Sequence, residues 1–135
     1  EMCIRDSFYA HRQPGLADDR AAHFFEESAR VPLMRDALVH RDAETYLRLM
    51  NASGRSSEQL LRNIRAPGGD DRLERGLARA AALLDGVGAW RVHGGGFAGC
   101  VQALMPRDAF HAYRKGMEAL FGPNSCRELH ITRAK

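Results

Sequence analysis

Cysteine is scarce in this sequence, and what there is lies far apart. Cys3, Cys100 and Cys126 form no Cys-x-x-Cys pair, which argues against a disulfide framework or a clustered zinc site and fits a reducing cytoplasm. No apolar run approaches the roughly 20 residues of a membrane span. No charged start followed by an apolar centre marks a secretory signal. The basic residues do not gather: 20 Lys and Arg are mixed with 17 Asp and Glu, for a net charge of +3. Without a basic block or an aromatic ladder, the footprint of a nucleic-acid binder is missing. The loop G-x-x-x-x-G-K-[ST] is absent, and the 6 histidines show no metal-ligand spacing.

The 135 residues, 44% hydrophobic and 27% charged, suit one globular domain with a real core. The opening stretch "EMCIRDS" has no periodicity. It looks like the translation of a sequencing-library adapter, so residues 1–7 are expected to be an assembly scar, with the natural frame continuing upstream of Phe8.

Helical spacing runs through Ala21, Phe24, Phe25, Ser28 and Val31, then Leu33, Met34, Ala37 and Leu38. Pro32 predicts a kink or a fresh start within that run. Asp42 suits the N-cap of a second helix that frays at "NASGRS". Ser56 with Gln59 fits a capping box and predicts a third helix. "APGGDD" is a loop. Leu73, Leu77, Ala80, Ala81 and Leu84 form another helical stripe, closed by Gly86 and Gly88. "AWRV" and "CVQALM" read as strands. Asp108 can cap a helix carrying Phe110, Tyr113, Met117, Leu120 and Phe121. "CRELHI" alternates like a last strand, with Leu129 and Ile131 on one face. The expected fold class is α+β: several helices, then a ferredoxin-like β-β-α-β unit.

Between the two strands lies "RVHGGGFAGC", with four glycines in six residues. Glycine in this density means a tight turn or a close approach. Gly94, Gly96 and Gly99 satisfy G-x-G-x-x-G, but a strand follows where a dinucleotide loop needs a helix, so that reading is rejected. Either the loop serves chain geometry alone, or its bare backbone packs against a phosphate or a neighbouring phosphate-binding loop. Arg91 and His93 share a strand face and could reach a cleft, but a salt-bridged or solvated face is the preferred reading. Ser53, Ser56 and Ser57 could approach a ligand, although capping accounts for Ser56. His23, beside Phe24 and Phe25, reads as a packing histidine, and Cys100 and Cys126 as small apolar residues.

"RVHGGGFAGC" resembles the third conserved motif of the GHMP kinases, in its galactokinase form. "RAAHFFEESARV" is similar to a galactokinase helix, and "LMNASGRSSEQLLRNI" to the Ser-rich segment that follows it. "AFHAYRKGMEALFGP" with "LHIT" is similar to the last helix and strand. The resemblance covers Phe8 to Lys135 and implies a GHMP kinase C-terminal domain over residues 8–135. The family's N-terminal domain, with its sugar-binding signature, Gly-Leu-Ser-Ser phosphate loop, magnesium ligands and catalytic Asp, has no counterpart here. The resemblance thus implies ATP-dependent phosphorylation of galactose at its anomeric hydroxyl, giving galactose 1-phosphate. ATP and Mg2+ would be held mainly by that missing domain, a partner in cis, and no catalytic or metal-binding residue is expected in this chain. Alone it would be inactive. Gly94, Gly95, Gly96 and Gly99 would line the phosphate side of the cleft, Arg91, His93, Ser53 and Ser57 could face it, and Phe97 would anchor the loop in the core. The alternative is a stand-alone, non-catalytic binding or dimerisation module of ferredoxin-like fold. Neither nucleic acid nor membrane is expected as a partner.

Overall fold

The computed structural model describes residues 3–97 and 99–130. Among these residues, five α-helices and one two-stranded antiparallel sheet make an α+β arrangement. The helices are α1 (Ile4–His11), α2 (Leu16–Val39), α3 (Ala43–Ser56), α4 (Arg72–Leu84) and α5 (Arg107–Phe121). The strands are β1 (Ala89–His93) and β2 (Cys100–Leu104).

α2 runs unbroken through Pro32. The ring denies Ser28 O its helical partner, but Pro32 and Ser28 are both exposed, where solvent is available to a freed carbonyl, and the helix continues. Asp42 caps α3 as expected, its side chain accepting from the Thr45 N–H at 2.9 Å.

The expected fray and fresh start at Ser56 do not occur. α3 passes directly into a π-helical turn over Ser57–Leu61. Ser56 is itself helical and makes no capping bond, because its hydroxyl is engaged by α2. The helical run stops at Arg62, which adopts a left-handed conformation (φ 56°, ψ 44°). At the start of α5 the cap position is Pro106, and Asp108 sits in the first turn.

The register pairs Ala89 with Leu104, Trp90 with Ala103, Arg91 with Gln102, Val92 with Val101 and His93 with Cys100. Paired residues share a sheet face. Trp90, Val101 and Ala103 therefore pack on α4 and α5, against Ala80, Leu84, Tyr113 and Met117. Ile64, Leu73 and Val92 form an adjoining cluster. The opposite face is covered only over β1, by α3. There Gly54 lets the backbones close up, since a Cβ would stand 3.0 Å from Trp90 O. Asn51 Oδ1 accepts the Trp90 N–H at 2.9 Å. On the β2 half, Cys100, Gln102 and Leu104 stay exposed, so Cys100 is not the packed apolar residue expected.

The closing strand is also absent over the described part of "CRELHI": Cys126 to His130 are irregular, and Ile131 lies outside the described residues. Cys126 instead packs on the α4–α5 core. Among the described residues the expected β-β-α-β unit is thus only β-β-α. Ile4 to His11 form a helix where the sequence shows no period. Phe8 of this helix stacks on Phe25, with ring centres 5.2 Å apart.

Candidate functional site: a glycine loop seated on Asn63

The six residues between His93 and Cys100 form the hairpin loop. Gly94 (φ +74°), Gly96 (φ +82°) and Phe97 (φ +59°) all lie in the left-handed region. That conformation is disfavoured for any residue with a Cβ. The loop is held by Asn63, the residue that follows the left-handed stop at Arg62. Asn63 O accepts the Phe97 N–H at 2.7 Å, and Asn63 Nδ2 donates to Gly95 O at 3.2 Å. A Cβ on Gly96 would lie 2.1 Å from Asn63 O, so only glycine fits at this contact. The Gly99 N–H donates to Gly96 O at 3.1 Å, which tightens the return to β2.

Gly94 and Gly95 face outward, and a Cβ on either meets nothing within 4 Å. At Gly95 neither backbone angle nor space within this chain requires glycine. Among the described residues, no acceptor takes the N–H of Gly95 or Gly96. The loop therefore presents bare donors to its surroundings, an arrangement suited to an anion. Phe97 does not anchor the loop in the core; its side chain is 41% exposed, because φ +59° turns it outward while its N–H holds the contact.

Beneath β1 lies a polar cluster that joins α2, α3 and the strand. Ser53 is 0% exposed. Its hydroxyl donates to Glu27 Oε2 at 2.6 Å and accepts from Arg91 Nη1 at 2.7 Å. Arg30 pairs with Glu27 and stands 3.9 Å from Glu26. Ser56 donates to Glu26 Oε2 at 3.2 Å, and His23 Nδ1 stands 2.9 Å from Ser56 Oγ. A hydroxyl has one proton, so with that proton on Glu26 the ring must donate from Nδ1. Burial, then the Arg30 charge, lower the His23 pKa against the opposing pull of Glu26. Burial lowers the Arg91 pKa as well.

Of the predicted site residues, Gly94, Gly95, Gly96 and Gly99 come together in the loop. His93 is exposed at its base. Arg91 and Ser53 bond each other inside the cluster, and Ser57 is buried. Asn63, Glu26, Glu27 and Arg30 had not been singled out. A lone Asn between Leu61 and Ile64, and acidic residues beside Phe24 and Phe25, were the available signals: polar groups placed at core-facing positions. No group of three or more His, Cys, Asp or Glu among the described residues is placed to hold a metal ion. No helix among them is long and apolar enough to cross a membrane.

The chain is 35% identical over 100 residues to a galactokinase of Haemophilus influenzae, a stretch covering 74% of this chain and 25% of that protein. It is 35% identical over 96 residues to a galactokinase of Actinobacillus succinogenes, covering 71% of this chain and 24% of that protein. The chain spans about a quarter of the length of the curated relatives it matches. No family model matches it, and no solved structure does.

Proposed function

We propose that this chain is the C-terminal portion of a galactokinase, contributing the Gly94–Gly99 loop to a cleft in which ATP phosphorylates the anomeric hydroxyl of galactose. The observation that carries the reading is the seated loop, with Gly94 and Gly95 presenting no side chain outward and the N–H groups of Gly95 and Gly96 unclaimed among the described residues. The partial similarity to two galactokinases supports it. Phosphoryl transfer is catalysed mainly by positioning and by stabilising charge on the phosphate oxygens, and rigid backbone donors suit that task. In this reading ATP and Mg2+ are held mainly by the rest of the enzyme.

Phe24, Val31 and Leu38 recur every seven residues along α2, and all three are exposed. A solvent-facing apolar stripe of this kind favours a portion that packs on further protein over a self-sufficient binding module.

The test is a chimera that joins this chain to the N-terminal three-quarters of the Haemophilus galactokinase, assayed for galactose-dependent ADP release. The chimera is expected to turn over and the isolated chain is not. A folded but inactive chimera, or sugar binding by the isolated chain, would favour the module. Within an active chimera, Gly95→Val should reduce kcat at least about tenfold, equivalent to ~1.4 kcal/mol, with little effect on stability. Its Cβ meets nothing in this chain, so the whole effect would come from what the loop faces.

A further inference from the structure

Asn63 is only 3% exposed, and its side-chain Oδ1 is buried without a hydrogen-bond partner. The amide orientation is not arbitrary. Nδ2 donates to Gly95 O, and turning the amide over would set Oδ1 against that carbonyl, oxygen to oxygen. Asn63 therefore leaves a buried acceptor unsatisfied in order to hold Gly95 O. Such an orphan costs about 1–3 kcal/mol, and it calls for an explanation.

A trans peptide is planar, with its C=O and N–H pointing in opposite directions. Fixing Gly95 O toward Asn63 therefore points the Gly96 N–H away from the body of the protein. The neighbouring peptide is fixed the other way round: the Phe97 N–H points in to Asn63 O, and Gly96 O is taken by the Gly99 N–H. Between two glycines a peptide can turn over readily, because no Cβ resists it. If the Gly95–Gly96 peptide and the Asn63 amide turned over together, the Gly96 N–H would point inward and donate to Oδ1, while a carbonyl would face out and repel an anion. With Nδ2 on Gly95 O, the amide holds the peptide against that alternative and leaves Oδ1 the orphan.

We propose that Asn63 is a positioning residue whose side-chain amide sets the direction of the Gly95–Gly96 peptide, so that the Gly96 N–H faces outward as a donor for a phosphate oxygen. The proposal rests on the phosphate-facing reading of the loop, but the peptide direction can be measured separately. In the 15N-labelled chain, the Gly96 amide is expected to exchange with solvent at an unprotected rate. It should also shift on titration with magnesium-free pyrophosphate. Asn63→Asp places a carboxylate against Gly95 O. It should turn the peptide over, slow Gly96 exchange at least about tenfold and abolish the pyrophosphate shift. Asn63→Leu keeps the main-chain bond to Phe97 and removes the orphan; it should weaken the pyrophosphate shift without lowering the unfolding midpoint, an outcome that a purely structural role does not give.

A slowly exchanging Gly96 amide in the unsubstituted chain would overturn the peptide direction. An undiminished pyrophosphate shift in Asn63→Leu would overturn the positioning role of the Asn63 amide. A Gly96 amide that is unprotected, becomes protected in Asn63→Asp, and never responds to pyrophosphate would uphold the orientation but overturn the phosphate role, and with it the reading of the loop.

Discussion

Replacing Gly96 with alanine tests the seat of the loop most directly. The new Cβ would stand 2.1 Å from Asn63 O and 2.8 Å from Asn63 Cγ, and the first of these is main chain that cannot swing aside. The left-handed φ of +82° adds about 1–2 kcal/mol for a residue with a Cβ. The loop cannot stay seated against that contact, so it must lift. Lifting breaks the Phe97 N–H bond to Asn63 O and the Asn63 Nδ2 bond to Gly95 O, each about 1 kcal/mol. Release also relieves the strain, so the loss settles near 2–4 kcal/mol rather than rising without limit. Urea unfolding followed by circular dichroism measures it. For an m-value of about 2 kcal/mol/M, the midpoint should fall by ~1–2 M. Gly94→Ala meets no atom but carries the same φ problem, and should lose only about 1–2 kcal/mol. Gly95→Ala has neither difficulty and should change by less than ~0.5 kcal/mol. The ordering matters more than any one value. Equal effects at the three glycines, or an unchanged Gly96→Ala, would refute the seating geometry.

Leu84 is 0% exposed and packs with Ala80, Tyr113 and Met117; Leu84→Ala should destabilise by about 2–5 kcal/mol in the same unfolding assay. Because burial and Arg30 lower the His23 pKa below 6.5, the unfolded chain takes up that proton more readily than the folded one. Stability from this group is complete above pH 6.5 and is lost as pH falls through the folded-state value. Urea midpoints between pH 5 and 7.5 should show this slope, and His23→Gln should flatten it. Asp42→Ala removes the acceptor for the Thr45 N–H and should lower the thermal midpoint; its carboxyl pKa is lowered chiefly by that backbone bond, so the difference between the two proteins should vanish in acid.

The parts legible in the sequence were those governed by local pattern. The stripe through Leu73, Ala80 and Leu84 gave α4, and the two short apolar runs gave β1 and β2 in register across the loop. The misreadings were places where tertiary contacts decided. Ser56 has the local chemistry of a cap, but Glu26 and His23 arrive from α2 and take its hydroxyl. Pro32 looks like a break, but it lies on the exposed side of α2, where a freed carbonyl has access to solvent. The family resemblance implies that Phe97 anchors the loop in the core; its backbone angle, invisible in the sequence, turns it outward. In the candidate site the glycines announced themselves. Asn63 did not, because its partner carbonyl on Gly95 is 32 positions away and no spacing rule spans that distance.

The π-helical turn at Ser57–Leu61 makes the chain's length itself a functional variable. Each α-helical residue advances the backbone by about 100° around the axis, as 3.6 residues per turn require. The π-turn takes up one residue more than an α-turn; a one-residue change in α3 ahead of it, which no such widening absorbs, would swing the exit at Arg62 and Asn63 through roughly that angle. The amide would then leave the loop with every glycine still in place. Single-residue insertions and deletions here would therefore be read out some thirty positions downstream, in the direction of one peptide group.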